Sequence, residues 1–315
     1  MELDQVGNTK LVQLSALEVN SNKLFAKCEF QNPTGSHKDR TFLHIINSLE
    51  EEGKIKPGMT LVDCSTGNGG AALAWIGREK GYKIKIFMPE GMTEERIEQI
   101  KKYGAELVET PKETFLNGSV LAAKEYTEQN NNTFYLNQAS SVLNMEAWFE
   151  CGHEIVRDLN SKQLTPDYFV CSIGTGGTFS GIAKVLKDNY PNLKTIGIEV
   201  NKSAPVFSKR NGIEFKHQPH NLMGLGAGVL SDNTDLSLID EIKIVDGDLA
   251  WERMKSFIET EGLGIGPTCG SNIMISEQLM LEVKDKVIVT LFFDSAWKYE
   301  SRWNGIYPEY SLKGK

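Results

Sequence analysis

The sequence has no surplus of positive charge: 34 Lys and Arg stand against 42 Asp and Glu, a formal net charge of -8 with pI near 5.3. The lysines are interspersed with glutamates, as around Glu94-Glu95-Arg96 and Lys101-Lys102, so no basic face for nucleic acid is expected. No apolar run approaches the roughly 20 residues that cross a bilayer. Met1-Glu2-Leu3-Asp4-Gln5 is acidic and polar, where a secretory leader needs a basic start and an apolar stretch. Cysteine is sparse as well. Cys28, Cys64, Cys151, Cys171 and Cys269 are scattered and form no CxxC pair, which argues against a disulfide framework or a zinc site and for reduced thiols in a cytoplasmic protein. No bound metal is expected, and no long low-complexity linker interrupts the chain.

What is present suits an ordinary globular protein. Of 315 residues, 40% are hydrophobic and 24% charged, enough for sizeable cores in two domains. Short β-branched runs alternate with helical periodicity, punctuated by Gly, Pro and Asn. Strands are expected over 23–30, 60–64, 83–88, 106–109, 168–172, 195–200 and 286–293. Helices are expected over 71–80, 93–103, 117–129, 145–159, 180–189, 248–261 and 273–283. This alternation predicts an α/β protein whose mostly parallel sheets carry helices on their faces. Two stretches resemble each other, Leu61-Val-Asp-Cys-Ser-Thr-Gly-Asn-Gly-Gly-Ala and Phe169-Val-Cys-Ser-Ile-Gly-Thr-Gly-Gly-Thr-Phe. Each leads from a strand through a glycine-rich turn into a helix, so one such loop per domain is expected, with a cleft between. The polar stretches 128–133 and 160–166 read as connections.

The second loop, Gly174-Thr175-Gly176-Gly177-Thr178, places backbone amides and hydroxyls at a helix start, where they converge on an anion. A dinucleotide fingerprint starting at Gly174 would need glycine where Phe179 stands, and a Walker loop starting at Gly176 would need lysine where Ile182 stands. A single phosphate monoester fits better; the alternative is a structural turn. In Asn32-Pro33-Thr34-Gly35-Ser36-His37-Lys38-Asp39-Arg40, a lysine stands in a turn-prone context just before a helical stretch. If its surroundings keep the amine partly neutral, such a lysine forms an imine with an aldehyde cofactor; otherwise it is a solvated charge. His37 reads as a packing residue more readily than as a base. Ser65-Thr66-Gly67-Asn68-Gly69-Gly70 opens a helix, and its amides and hydroxyls suit a carboxylate or simply cap that helix.

Taken in order, these segments resemble the fold-type II pyridoxal phosphate enzymes, in particular their cysteine synthase and cystathionine β-synthase branch. The resemblance also includes Val6-Gly7-Asn8-Thr9-Lys10-Leu11-Val12, Met88-Pro89-Glu90 through Tyr103-Gly104-Ala105-Glu106, Asn137-Gln138, Gly224-Leu225-Gly226-Ala227-Gly228 and Gly266-Pro267-Thr268-Cys269-Gly270. It implies a smaller mobile domain over 31–145 and a larger one made of 1–30 with 146–315, with the active site in the cleft. Lys38 would hold pyridoxal 5'-phosphate as an imine and shuttle the substrate α-proton. Asn68 would meet the ring hydroxyl, Gly174, Thr175, Gly176, Gly177 and Thr178 the phosphate, and Thr268 the pyridine nitrogen. Ser65, Thr66, Gly67, Gly69, Gln138 and Gly226 would bind the amino-acid substrate. A neutral hydroxyl at Thr268 makes a weaker electron sink than a carboxylate partner would, favouring expulsion of a β-substituent to an α-aminoacrylate over transamination. Cys269 reads as packing.

The resemblance implies β-replacement on O-acetylserine or O-phosphoserine by sulfide or another nucleophile, in a cytoplasmic homodimer. A cysteine lyase or desulfhydrase releasing hydrogen sulfide is the nearest alternative, with Asp232 as a base for water or, equally, a surface-turn residue. Threonine synthase, serine/threonine dehydratase and a catalytically silent regulatory protein are further alternatives. Three departures bear on the substrate: Gly69 where threonine is usual, His37 before the lysine, and Trp297 in Asp294-Ser295-Ala296-Trp297-Lys298-Tyr299 where glycine-aspartate is usual.

Overall fold

Strands buried on both faces read as unbroken apolar runs, and such runs lie at the centre of each sheet here. A computed structural model of the chain describes residues 1–225 and 228–303. The first half holds β1 (Leu11–Gln13), β2 (Lys23–Cys28), α1 (Lys38–Glu51), β3 (Thr60–Cys64), α2 (Asn68–Glu79), β4 (Lys83–Pro89), α3 (Glu94–Lys102), β5 (Glu106–Thr110), α4 (Phe115–Gln129) and β6 (Thr133–Tyr135). There follow α5 (Leu143–Glu146), α6 (Phe149–Ser161), β7 (Tyr168–Ser172), α7 (Gly177–Asn189), β8 (Lys194–Val200), α8 (Pro205–Asn211), β9 (Glu241–Val245), α9 (Gly247–Glu261), α10 (Pro267–Glu282) and β10 (Val287–Phe292).

One sheet runs β1-β2-β10-β7-β8-β9 and the other β5-β4-β3-β6. All neighbours are parallel except β1, which lies antiparallel to β2. Phe25, Val289, Phe169 and Thr195 stand in register across the larger sheet, and all are buried. The chain leaves β3 and β7 through short turns straight into α2 and α7, so both glycine loops sit at strand carboxyl ends, where open α/β sheets bind ligands.

The expected α/β architecture is present, with differences in detail. Strands β1, β6 and β9 lie outside the expected set. Each is a sheet edge, and β1 and β6 are only 3 residues long, too short for a period to show. The expected helix over 145–159 is two helices, because the chain turns between α5 and α6 to set the Trp148 indole inside, against His37. Lys38 does not precede its helix; it is the first residue of α1.

Candidate functional site

Both flanks of Lys38 are pinned. On one side His37 N–H donates to the Phe293 carbonyl at 2.8 Å and Ser295 N–H to the Gly35 carbonyl at 3.0 Å. On the other, the Asp39 carboxyl accepts the Thr34 N–H at 2.7 Å and the Thr34 hydroxyl, and Arg40 pairs with Glu29 and Glu154. With its neighbours held, Lys38 lines a cavity at the carboxyl ends of β3, β7 and β10, together with Cys64, Ser172 and Phe293. Enclosure in protein disfavours the ammonium and pushes the amine down from 10.5 to about 8, partly opposed by the Asp63 carboxyl. Burial in turn raises Asp63 to about 7, against the pull of two backbone amides and Lys38. A lysine so placed is partly neutral near physiological pH and able to act as a nucleophile or base.

His37 is packed between the rings of Trp148 and Phe293, with centroids 5.6 and 5.2 Å away. Burial, then the Lys38 charge, hold its imidazole well below the ordinary value, so it remains neutral. Cys269 is also a packing residue: it is fully buried, and its sulfur accepts the Phe293 N–H at 3.2 Å.

The Gly174–Thr178 segment forms the turn between β7 and α7. Gly176 adopts φ +81°, where a Cβ would lie 2.1 Å from the Thr234 hydroxyl; a Cβ on Gly177 would lie 2.5 Å from Asn144 Oδ1. Glycine is therefore required by both backbone angle and close approach. The first amides of α7 have no intrahelical acceptor and are left to bind an anion. Thr268, at the start of α10, lines the same cavity with its hydroxyl buried and unpartnered among the described residues; Asn68 Oδ1 is likewise buried and unpartnered. Buried polar atoms left this way are costly without a bound partner. The anion cradle, the unpartnered hydroxyl and the partly neutral lysine together fit the expected pyridoxal phosphate.

In the Ser65–Gly70 loop, Ser65 Oγ accepts the N–H groups of Gly67 at 3.0 Å and Gly70 at 2.9 Å, so it caps α2. The Thr66 hydroxyl donates to the Met223 carbonyl at 3.2 Å, and Gly67, at φ +141°, is packed on the Arg96 side chain. Gln138 Nε2 donates to the Cys64 carbonyl at 3.1 Å and would lie 2.8 Å from a Cβ on Gly69. The Gln138 side chain thus fills the space that a threonine at 69 would claim. Ser65, Thr66, Gly69 and Gln138 all line the cavity. Asp232 does not: it is exposed, on a turn whose neighbours Ser231 and Asn233 are anchored to the Ala139 carbonyl. Its placement is that of the surface-turn residue, because no wall of the cavity reaches it. Gly226 lies outside the described residues.

Three buried charged residues at the site escaped the sequence reading: Asp63, Arg96 and Asp294. Their one signal was an acid within or just after an apolar strand run, Leu61-Val62-Asp63 and Leu291-Phe292-Phe293-Asp294. Arg96 was concealed by the charged periodicity of α3. The far wall of the cavity is apolar, formed by Met92, Phe115, Leu116, Val120, Met223 and Val229, with the His217 ring stacked on Phe115 at 5.6 Å.

The family model described as "Pyridoxal-phosphate dependent enzyme" matches residues 2–294. A cysteine synthase of Staphylococcus aureus is 37% identical over 299 residues, covering 94% of each chain. A probable cysteine synthase of Bacillus subtilis is 33% identical over 301 residues, covering 95% of each. Among solved structures, a hydrogen sulfide-producing enzyme from Fusobacterium nucleatum superposes with TM-score 0.88 at 35% identity, over 94% of this chain and 98% of that one. A cysteine synthase from Entamoeba histolytica superposes with TM-score 0.88 at 28% identity, over 96% and 90%.

Proposed function

Because the chain belongs to the pyridoxal-phosphate dependent enzyme family, we propose that Lys38 is its cofactor lysine and that it replaces or removes the β-substituent of a serine- or cysteine-type amino acid, as a cysteine synthase does. The observation that carries this reading is the enclosed Lys38 amine, held at about 8, in one cavity with the Gly174–Thr178 amides and the Thr268 hydroxyl. When bound, pyridoxal phosphate supplies an electron sink for the pair released at the substrate α carbon. The rest falls to the protein. The amides of Gly174, Thr175, Gly176, Gly177 and Thr178 hold the phosphate, and Asn68 meets the ring oxygen. Thr268 would offer the ring nitrogen a neutral hydroxyl, a weaker partner than a carboxylate, which suits loss of a β-substituent better than transamination. Lys38 Nζ takes the α-proton and returns it.

The Ser65–Gly69 loop and Gln138 hold the substrate carboxylate, and the apolar wall around Phe115 and Val120 excludes water from the β carbon. In the same proposal residues 31–145 form the smaller unit that closes over the cleft, and the enzyme is a cytoplasmic homodimer. Among the described residues, no helix is long and apolar enough to cross a membrane.

Release of hydrogen sulfide from cysteine is the second reading, supported by the likeness to the Fusobacterium enzyme over nearly its whole length. Rapid-scan absorbance of the holoenzyme with O-acetylserine, O-phosphoserine, serine, cysteine and threonine, with a sulfide assay, decides between them. A new band with an activated serine that sulfide discharges supports synthesis. Sulfide from cysteine alone supports the lyase. A protein with no visible chromophore refutes the cofactor assignment.

A further inference from the structure

The apolar wall of the cavity is drawn from two separate stretches of chain. Phe115, Leu116 and Val120 stand on the first two turns of α4, which packs on β3 and β4; His217, Met223 and Val229 come from the segment between α8 and β9. These side chains are not sealed in a core. Phe115, Leu116, Val120 and His217 are half-buried and Val229 is 42% exposed, so apolar surface is left lining the cavity, where it invites an apolar guest. The Phe115 and His217 rings stack at 5.6 Å with 14° between their planes, an aromatic pair that bridges the two stretches. Burial lowers the His217 imidazole and its Nδ1 lies 2.9 Å from the Ser203 hydroxyl, so this ring is uncharged and held. Arg96 lies against Met223, but its guanidinium is spent on the Thr66 carbonyl, the Tyr299 hydroxyl and the Asp294 carboxylate.

The backbone of Phe115 takes φ +44° and ψ −139°, outside the wells open to a bulky side chain. Glycine would take this turn freely, whereas a large residue held there stores strain of the kind found at functional sites. Sulfide, small and hydrated, gains nothing from such a ring. We infer that the nucleophile is an organic thiol bearing an aryl or bulky alkyl group, covered by this wall, and that Phe115 is a specificity-determining residue for it. The inference rests on the β-replacement reading and names its second substrate. With O-acetylserine, the β C–O bond breaks with its electron pair leaving on acetate, a C–S bond forms, and the thiol proton goes to solvent. The product is an S-substituted cysteine, and no oxidant or reductant is consumed.

The test compares two primary thiols of similar acidity, phenylmethanethiol and 2-mercaptoethanol, as partners of O-acetylserine with the holoenzyme, the products being quantified by mass spectrometry. In wild type, kcat/KM is expected to favour phenylmethanethiol by at least about tenfold, the worth of burying part of its ring. In Phe115→Gly, which relieves the backbone as it removes the ring, that ratio is expected to fall toward one. Calorimetry of the wild-type holoenzyme gives a readout without turnover: S-benzylcysteine should bind about tenfold more tightly than S-(2-hydroxyethyl)cysteine, with a more negative heat-capacity change. A wild-type ratio near or below one, a ratio unchanged in F115G, or equal affinities for the two cysteine derivatives overturns the inference. The wild-type comparisons decide it even if F115G does not fold. A holoenzyme that gives no new absorbance band with O-acetylserine refutes the β-replacement reading instead, and calorimetry still decides whether the wall takes a hydrocarbon group.

Discussion

Lys38, the proposed cofactor lysine, owes its lowered basicity to its neighbours more than to its identity. A solvated lysine is protonated at neutral pH; Lys38 is held at about 8 by enclosure. Since only the neutral amine attacks an aldehyde, the rate at which the stripped protein takes up pyridoxal phosphate is expected to rise with pH and level off above about 8. Stopped-flow absorbance of the developing visible band measures this; a rate still climbing toward 10.5, the ordinary lysine value, would mean that the enclosure is lost in solution. Lys38→Ala is expected to abolish that band and lower turnover on the order of a hundred- to ten-thousandfold, with the melting temperature little changed. The lysine itself was legible from its motif. Asp63, raised to about 7 nearby, was not, because a single acid in a strand gives no hint of which lysine folding will bring to it.

Among the elements, α7 shows how far local pattern reaches. Its glycine-rich start was readable because backbone angle and close approach both restrict the side chain, and such restrictions are written in residue type. Gly176 meets both, with φ +81° and Thr234 backbone atoms 2.7 Å from where a Cβ would stand. Gly176→Ala is expected to cost about 1–3 kcal/mol and to weaken cofactor affinity roughly tenfold. Equilibrium titration with pyridoxal phosphate checks it; unchanged affinity would remove the loop from the phosphate site. The division of 143–161 into α5 and α6 was not readable, since only packing of Trp148 against His37 marks the break. Strand β9 shows the same limit from another side: it is an edge strand whose Glu241-Ile242-Lys243-Ile244-Val245 alternates polar and apolar residues, but nothing local says which sheet it joins.

For the whole molecule, the buried charges behind Lys38 matter most. Arg40 joins Glu29 to Glu154, Lys27 pairs with Glu154 at 2.7 Å, and Asn8 N–H donates to Glu154 at 2.9 Å. This network ties the amino-terminal motif, β2, α1 and α6 together two residues from Lys38. Burial alone would raise the Glu154 carboxyl, but Arg40 and Lys27 outweigh it and hold the group at about 2. A carboxyl depressed in the folded state stabilises it above the unfolded value, and that stability is lost as pH falls from 4.5 toward 2. Glu154→Gln is expected to flatten this acid limb and to cost about 3–5 kcal/mol at neutral pH, by leaving two buried cations short of a partner. Denaturant unfolding between neutral and acid pH would show it; an unchanged slope would mean that the carboxyl is not depressed.

Residue types in order were enough to establish the alternating α/β plan, both glycine loops and the lysine motif, because each depends on neighbours within a few positions: apolar period, backbone angle, or an amide cluster at a helix start. Folding alone determined the rest. The charge of Asp63 felt at Lys38, the seat of Gln138 beside Gly69 and the Asp294–Asn68 contact each involve residues far apart in the chain, and the exposure of Asp232 depends on which segments wall the cavity. Their energies depend on burial and on partners within a few ångströms, quantities that exist only once the two sheets have closed around the cavity.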